Sequence, residues 1–217
     1  MTCATRIAPH VSFFTRPMET GMDPTPAAVR EIALLNPVNR TILERMPELA
    51  LDQAYLVAGS VFQAVWNHRT AADPAHAVAD YDIAYFDPDL SYEAEDRHIR
   101  RAAKLFVDLP ARIELRNQAR VHLWYPSRFG SPYPRLTTAT DGIDRYLVAC
   151  TCIGIAAADR AVHAPYGLAD LWRGILRPNP HAPSLDRYMV KAQSYQARWP
   201  WLHIEPRWPI RARTNKS

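Results

Sequence analysis

The chain has 217 residues, 48% of them hydrophobic and 22% charged, with a formal net charge of +4. These values exclude wholesale disorder and leave ample apolar surface for a core. Almost all the positive charge is arginine, since Lys104, Lys191 and Lys216 are the lysines, and basicity at this level gives no argument for a long nucleic-acid track.

Three cysteines (Cys3, Cys150, Cys152) cannot build a disulfide framework and suit a reducing, cytoplasmic setting, with Cys150 and Cys152 read as core packing. No run reaches the roughly 20 apolar residues of a membrane span. Residues 1–22 carry Arg6 and Arg16 around a short apolar patch but no continuous hydrophobic stretch. They read as a loose leader, with Met18 and Met22 as alternative starts. Residues 23–217 read as one domain, with a core over about 51–130 and a helical and hairpin part over about 131–217.

In chain order, Thr25 and Pro26 open a helix over about Ala27–Leu35, and Asn36-Pro37 ends it before a second helix to Arg45. Tyr55-Leu56-Val57 is a short apolar strand that runs into Ala58-Gly59-Ser60, after which Val61–Arg69 has helical spacing. A strand over the sequence DYDIAYFD (80–87) follows, then a helix capped by Ser91 with acids in its first turn. Arg112–Arg116 alternates as a strand, and Asn117 caps a helix to about Tyr125. Residues 126–139 read as loop and Asp141–Val148 as helix. A hairpin over Thr151–Ala157 and Arg160–His163 follows, then helices over Leu168–Leu176 and Leu185–Trp199. Trp66, Trp124 and Trp172 read as core. The expected fold is α+β, a small mixed sheet flanked by helices with a helical and hairpin C-terminal extension.

The seven glycines form no phosphate-binding loop, dinucleotide fingerprint or nucleophile elbow, and the eight histidines have no paired metal spacing. What stands out is a set of carboxylates. Residues two apart on a strand share a face, so Asp80 and Asp82 point one way and Tyr81, Ile83 and Tyr85 the other; Asp87 falls on the wrong face. Two such carboxylates repel unless a cation lies between them or one is protonated, and oxygen ligands suit a hard cation such as Mg²⁺. The plainer alternative is a solvated strand end paired with an arginine. Gly59 and Ser60, where a strand turns into a helix, let phosphate oxygens approach a positive helix end. Glu114 lies between Ile113 and Leu115, where a buried acid needs a partner or a metal; Arg112 and Arg116 on the same face are the plain explanation.

The blocks AGSVFQAVWN, DYDIAYFD, DLSYEAED, RNQARVHLWY, APYGLADLW and RPNP together resemble a bacterial nucleotidyltransferase family of the superfamily typified by DNA polymerase β. The resemblance implies that Gly59 and Ser60 hold a triphosphate, that Asp80 and Asp82 bind two metal ions (Mg²⁺, or Mn²⁺ in its place), and that Glu114 is the third catalytic carboxylate. Arg116, Gln118 and Arg120, at a strand-to-helix junction, are candidates for reaching phosphate or base. It implies transfer of a nucleoside monophosphate from an NTP to a hydroxyl acceptor, with a non-catalytic nucleotide-binding or regulatory protein on the same fold as the alternative. The acceptor and the oligomeric state are not set by the sequence.

Overall fold

The structure is a computed structural model that describes residues 23–181 and 184–207. The expected leader over 1–22 and the end of the tail lie outside the described residues. The first helices form where the caps predict. Thr25 Oγ1 accepts from the Ala28 amide ahead of α1 (Pro26–Ala33), and Asn36 Oδ1 caps α2 (Pro37–Arg45). Strand β1 (Tyr55–Val57) leads into α3 (Gly59–Arg69), β2 (Tyr81–Tyr85), α4 (Tyr92–Leu105) and β3 (Ile113–Asn117). Beyond them come α5 (Val121–Phe129), α6 (Ala139–Ile143), β4 (Gly154–Ala156), β5 (Val162–His163), α7 (Ala169–Arg173), β6 (Ile175–Leu176), α8 (Leu185–Arg198) and β7 (His203–Ile204).

The main sheet has the order β3-β2-β1-β4-β5, with β2 and β3 parallel and the other neighbours antiparallel. The parallel pair requires the crossover that α4 supplies. The register sets Val57 opposite Asp82 and Asp82 opposite Glu114, which puts both acids on one face. The other face carries Tyr81, Ile83 and Tyr85 into the core, as the alternation predicts; Ile83 and Tyr85 are fully buried. β6 and β7 pair separately as a small parallel ribbon.

Three expectations are corrected. The segment from 126 is not loop at first, because α5 continues through Pro126 to Phe129. The rings of Tyr125 and Phe129, 4.6 Å apart, and the Arg187 guanidinium, 4.0 Å from the Phe129 ring, pack its last turn in place despite the missing amide. The helix expected over Asp141–Val148 is α6, which starts earlier with a Thr138–Asp141 capping box and ends at Ile143. Leu168–Leu176 is divided. Gly174, at φ +72°, stops α7, and Ile175 and Leu176 become a strand because His203 and Ile204 offer a pairing edge.

One apolar cluster runs from Val29 in α1 to Leu202, so the C-terminal elements share a core with the sheet. Its centre is aromatic. Trp66 stands 4.6 Å from Phe62, 5.4 Å from Tyr195 and 5.3 Å from Trp199, which fixes α8 against α3. Cys150 and Cys152 are buried free thiols, as expected. Among the described residues no helix is long and apolar enough to cross a membrane.

The buried Asn117 ties β3 to the loop after β2. Its Oδ1 accepts from the amides of Asp87 and Ala119, each at 3.0 Å, while its Nδ2 donates to the Asp87 carbonyl at 2.9 Å. Replacing Asn117 with Ala strands these groups. Urea denaturation of Asn117→Ala should show a loss of about 2–4 kcal/mol.

Candidate active site

Where β1 ends, Ala58 adopts φ 57° and ψ −130°, a left-handed conformation that costs an alanine of order 1–3 kcal/mol. The turn aims the start of α3 across the sheet face that carries the acids. Val61 and Phe62 both donate to the Ala58 carbonyl, so Gly59 and Ser60 hold the first-turn amides that no helical carbonyl reaches. In front of Gly59 lies a cleft of about 780 Å³, within the range that holds small-molecule ligands.

The cleft collects most of the residues singled out from the sequence. Gly59, Asp80, Asp82, Glu114, Arg116 and Gln118 line it. Asp80 sits one residue before β2, and Asp82 and Glu114 are register partners on adjacent parallel strands. The Asp82 carboxyl is pushed up to about 7, first by desolvation and then by the negative charges of Asp80 and Glu114; Arg116 and Lys191 pull the other way. The repulsion expected of two close carboxylates is therefore present. Glu114 also realises the plainer expectation, because one oxygen pairs with Arg112 and the other with Arg116 at 3.2 Å. Among the described residues no three acids, histidines or cysteines are gathered closely enough to enclose a metal ion alone.

Two expected residues are not brought to the cleft. The Ser60 side chain is fully buried and turned back toward the Val57 carbonyl, 3.5 Å away, so it lines the strand end. Arg120 is held by Glu95 at 3.0 Å and by the Ser91 carbonyl at 2.9 Å, on the α4 side of β3. Gln118 is at the cleft but committed to packing. Its amide lies over Gly142, where an added Cβ would fall 2.0 Å from its Oε1.

Sequence reasoning missed the C-terminal contribution. Arg187, Lys191 and Arg198 on α8, with Arg145 after α6, line the same cleft. On α8 the buried Tyr188, Ala192, Tyr195 and Trp199 form one stripe, and the three cations lie along its flank. The Lys191 ammonium, 5.2 Å from the Tyr195 ring, is pushed down by desolvation and by Arg198, while Asp80 and Asp82 pull it up. The available signal was helical spacing, together with a lysine in a chain that otherwise uses arginine. Trp124 was also misread as core. It is 36% exposed and forms an aromatic wall of the cleft with Tyr125, Phe129 and Tyr133. Trp66 and Trp172 are core as expected.

The profile of a protein family described as Nucleotidyltransferase matches residues 44–204, which include every residue of this cleft. This chain belongs to that family. A solved NMR structure described as revealing a CCA-adding enzyme head domain is similar to it, with a TM-score of 0.65 and 28% identity, over 83% of this chain and 96% of the other. No curated protein matches the chain. The nucleotidyltransferase fold of this chain thus carries a cleft with an acidic floor and a basic wall.

The raised proton affinity of Asp82 has a consequence for stability. The folded state holds the Asp82 proton more tightly than the unfolded chain, so ionisation opposes folding. The penalty is absent below about pH 4, grows between pH 4 and 7, and is fully present above pH 7. Asp82→Asn should therefore be more stable than the parent by about 1–3 kcal/mol at pH 8 in a chelator, with the gain vanishing by pH 4 in paired denaturation curves.

Proposed function

We propose that this protein is a Mg²⁺-dependent nucleotidyltransferase that moves a nucleoside monophosphate from an NTP to a hydroxyl acceptor and releases pyrophosphate. The observation that carries this reading is Asp82, ionised only against desolvation and the field of Asp80 and Glu114, at the floor of a cleft whose far wall is cationic. An acid kept in such a place is destabilising unless a cation accompanies it in use.

The donor set fits the ion. Asp80 and Asp82 offer only carboxylate oxygens, and Mg²⁺ is commonly held by one or two carboxylates together with substrate phosphates and water rather than by an all-protein cage. When bound there, Mg²⁺ supplies positive charge to the phosphate oxygens. The remaining work falls to this chain's own groups. The first-turn amide of α3 at Gly59 faces the phosphates, and Arg116, Lys191 and Arg198 balance their charge. The acceptor oxygen forms a bond to the α-phosphorus as the α–β bridging P–O bond breaks, and the bridging electron pair leaves with pyrophosphate. The hydroxyl proton passes to a carboxylate at the floor. Glu114 serves here once Arg112 and Arg116, both largely exposed, turn toward the phosphates, because exposed ion pairs yield at little cost.

The ion pairs on Glu114 favour a second reading, a nucleotide-binding protein without transfer, and one experiment separates the two. Each labelled NTP, with Mg²⁺, is offered to a mixture of small alcohols, RNA and protein, and pyrophosphate is measured. Transfer predicts pyrophosphate and a labelled acceptor, both falling at least about a hundredfold in Asp82→Asn. Binding of NTP with no pyrophosphate from any mixture selects the second reading. Activity unchanged in Asp82→Asn removes the site assignment.

A further inference from the structure

We infer that Gln63, in the second turn of α3, binds a substrate hydroxyl in the cleft that Asp80 lines; this rests on the transferase reading and adds a specificity residue to it. Gln63 lines the cleft, yet only 6% of it is exposed. Its carboxamide makes no hydrogen bond among the described residues, and its Oε1 is buried without a partner. A buried carbonyl oxygen left unpaired is expensive, and a folded chain rarely keeps one without a use.

Its position is set by the helix. A side chain in a helix lies back over the preceding turn, so Gln63 covers Gly59. A Cβ placed on Gly59 would come 2.8 Å from Gln63 Nε2. The glycine is therefore the space in which the amide lies, at the helix end that presents free backbone amides. The β1–β2 register sets Val57 opposite Asp82, and Gly59, Gln63, Asp80 and Asp82 line one cleft. The carboxamide thus stands in the cleft that holds the acidic floor.

The chemistry of the missing partner follows from the orphan atom. Phosphate ester oxygens accept hydrogen bonds, so they can satisfy Nε2 but not Oε1. A hydroxyl both donates and accepts, and it satisfies either end of a carboxamide. Hydroxyls come from two sources, the 2′ and 3′ positions of the NTP ribose and the acceptor.

The test uses the full chain with Mg²⁺ and calorimetric titration of ATP, 2′-deoxy-ATP, 3′-deoxy-ATP and tripolyphosphate. Gln63→Met keeps the length and removes the polar atoms. Gln63→Leu removes the same polar atoms with a different shape, and matched thermal denaturation of parent and variants guards against a fold defect. Should the ribose be the source, both variants weaken ATP by about tenfold to a hundredfold while tripolyphosphate and one deoxy analogue bind as they do to the parent. Should the acceptor be the source, ATP binding is unchanged and the KM of the transferred acceptor rises by the same factor at constant KM for NTP. Equal weakening of ATP and tripolyphosphate, or no change in either binding or acceptor KM, overturns the inference. A parent protein with no affinity for any NTP instead overturns the transferase reading.

Discussion

The parallel pairing of β2 with β3 is the constraint on which the rest of the site depends. In that register Asp82 and Glu114 lie side by side on one sheet face, and Asp80, one residue before β2, lines the same cleft. A shift of one residue would turn both acids into the core and Ile83 and Leu115 into the cleft, so burial of the apolar face enforces the arrangement. The same burial desolvates Asp82 and raises its proton affinity. Packing thus does two things at once: it holds the acids together and prevents their charges from being dispersed by water.

The second requirement is a countercharge that can approach without cancelling the site. Glu114 is neutralised locally by arginines two residues to either side, whereas Asp80 and Asp82 face cations carried by α8, more than a hundred residues later in the chain. That distance is bridged by aromatic packing. Phe62 and Trp66 on α3 meet Tyr195 and Trp199, so the helix that begins at the cleft and the helix that bears the cations share one aromatic contact. Shape and charge of the cleft are consequently set by the same cluster. Strain at Ala58 and the unpaired amide of Gln63 add to the cost of the floor, and such costs gather where binding will repay them.

Much of this was legible beforehand. Alternation in DYDIAYFD separated the core face from the acidic face, caps at Thr25, Asn36 and Ser91 marked three helix starts, and the strand–helix–strand–helix–strand order of the first half was readable from spacing. Local chemistry decides these features, because a cap or a period-two pattern involves residues within a few positions of each other. Ser60 and Arg120 were named for the cleft on the same local grounds and lie elsewhere. Whether a side chain next to a turn points to a ligand or to its own neighbour depends on the neighbour, here the Val57 carbonyl and Glu95.

By itself, then, the sequence determined the α+β class, the acidic strand and its orientation, and the glycine at the helix entry. Only the tertiary structure decided that Glu114 meets Asp82 in register, that Lys191 and Arg198 complete the cleft, that Trp124 is a wall rather than core, and that Ile175 and Leu176 leave a helix for a strand. The physical reason is distance along the chain. Backbone propensity and side-chain period act over a few residues, whereas strand register, countercharge and an available pairing edge are supplied by segments that meet only once the core has closed.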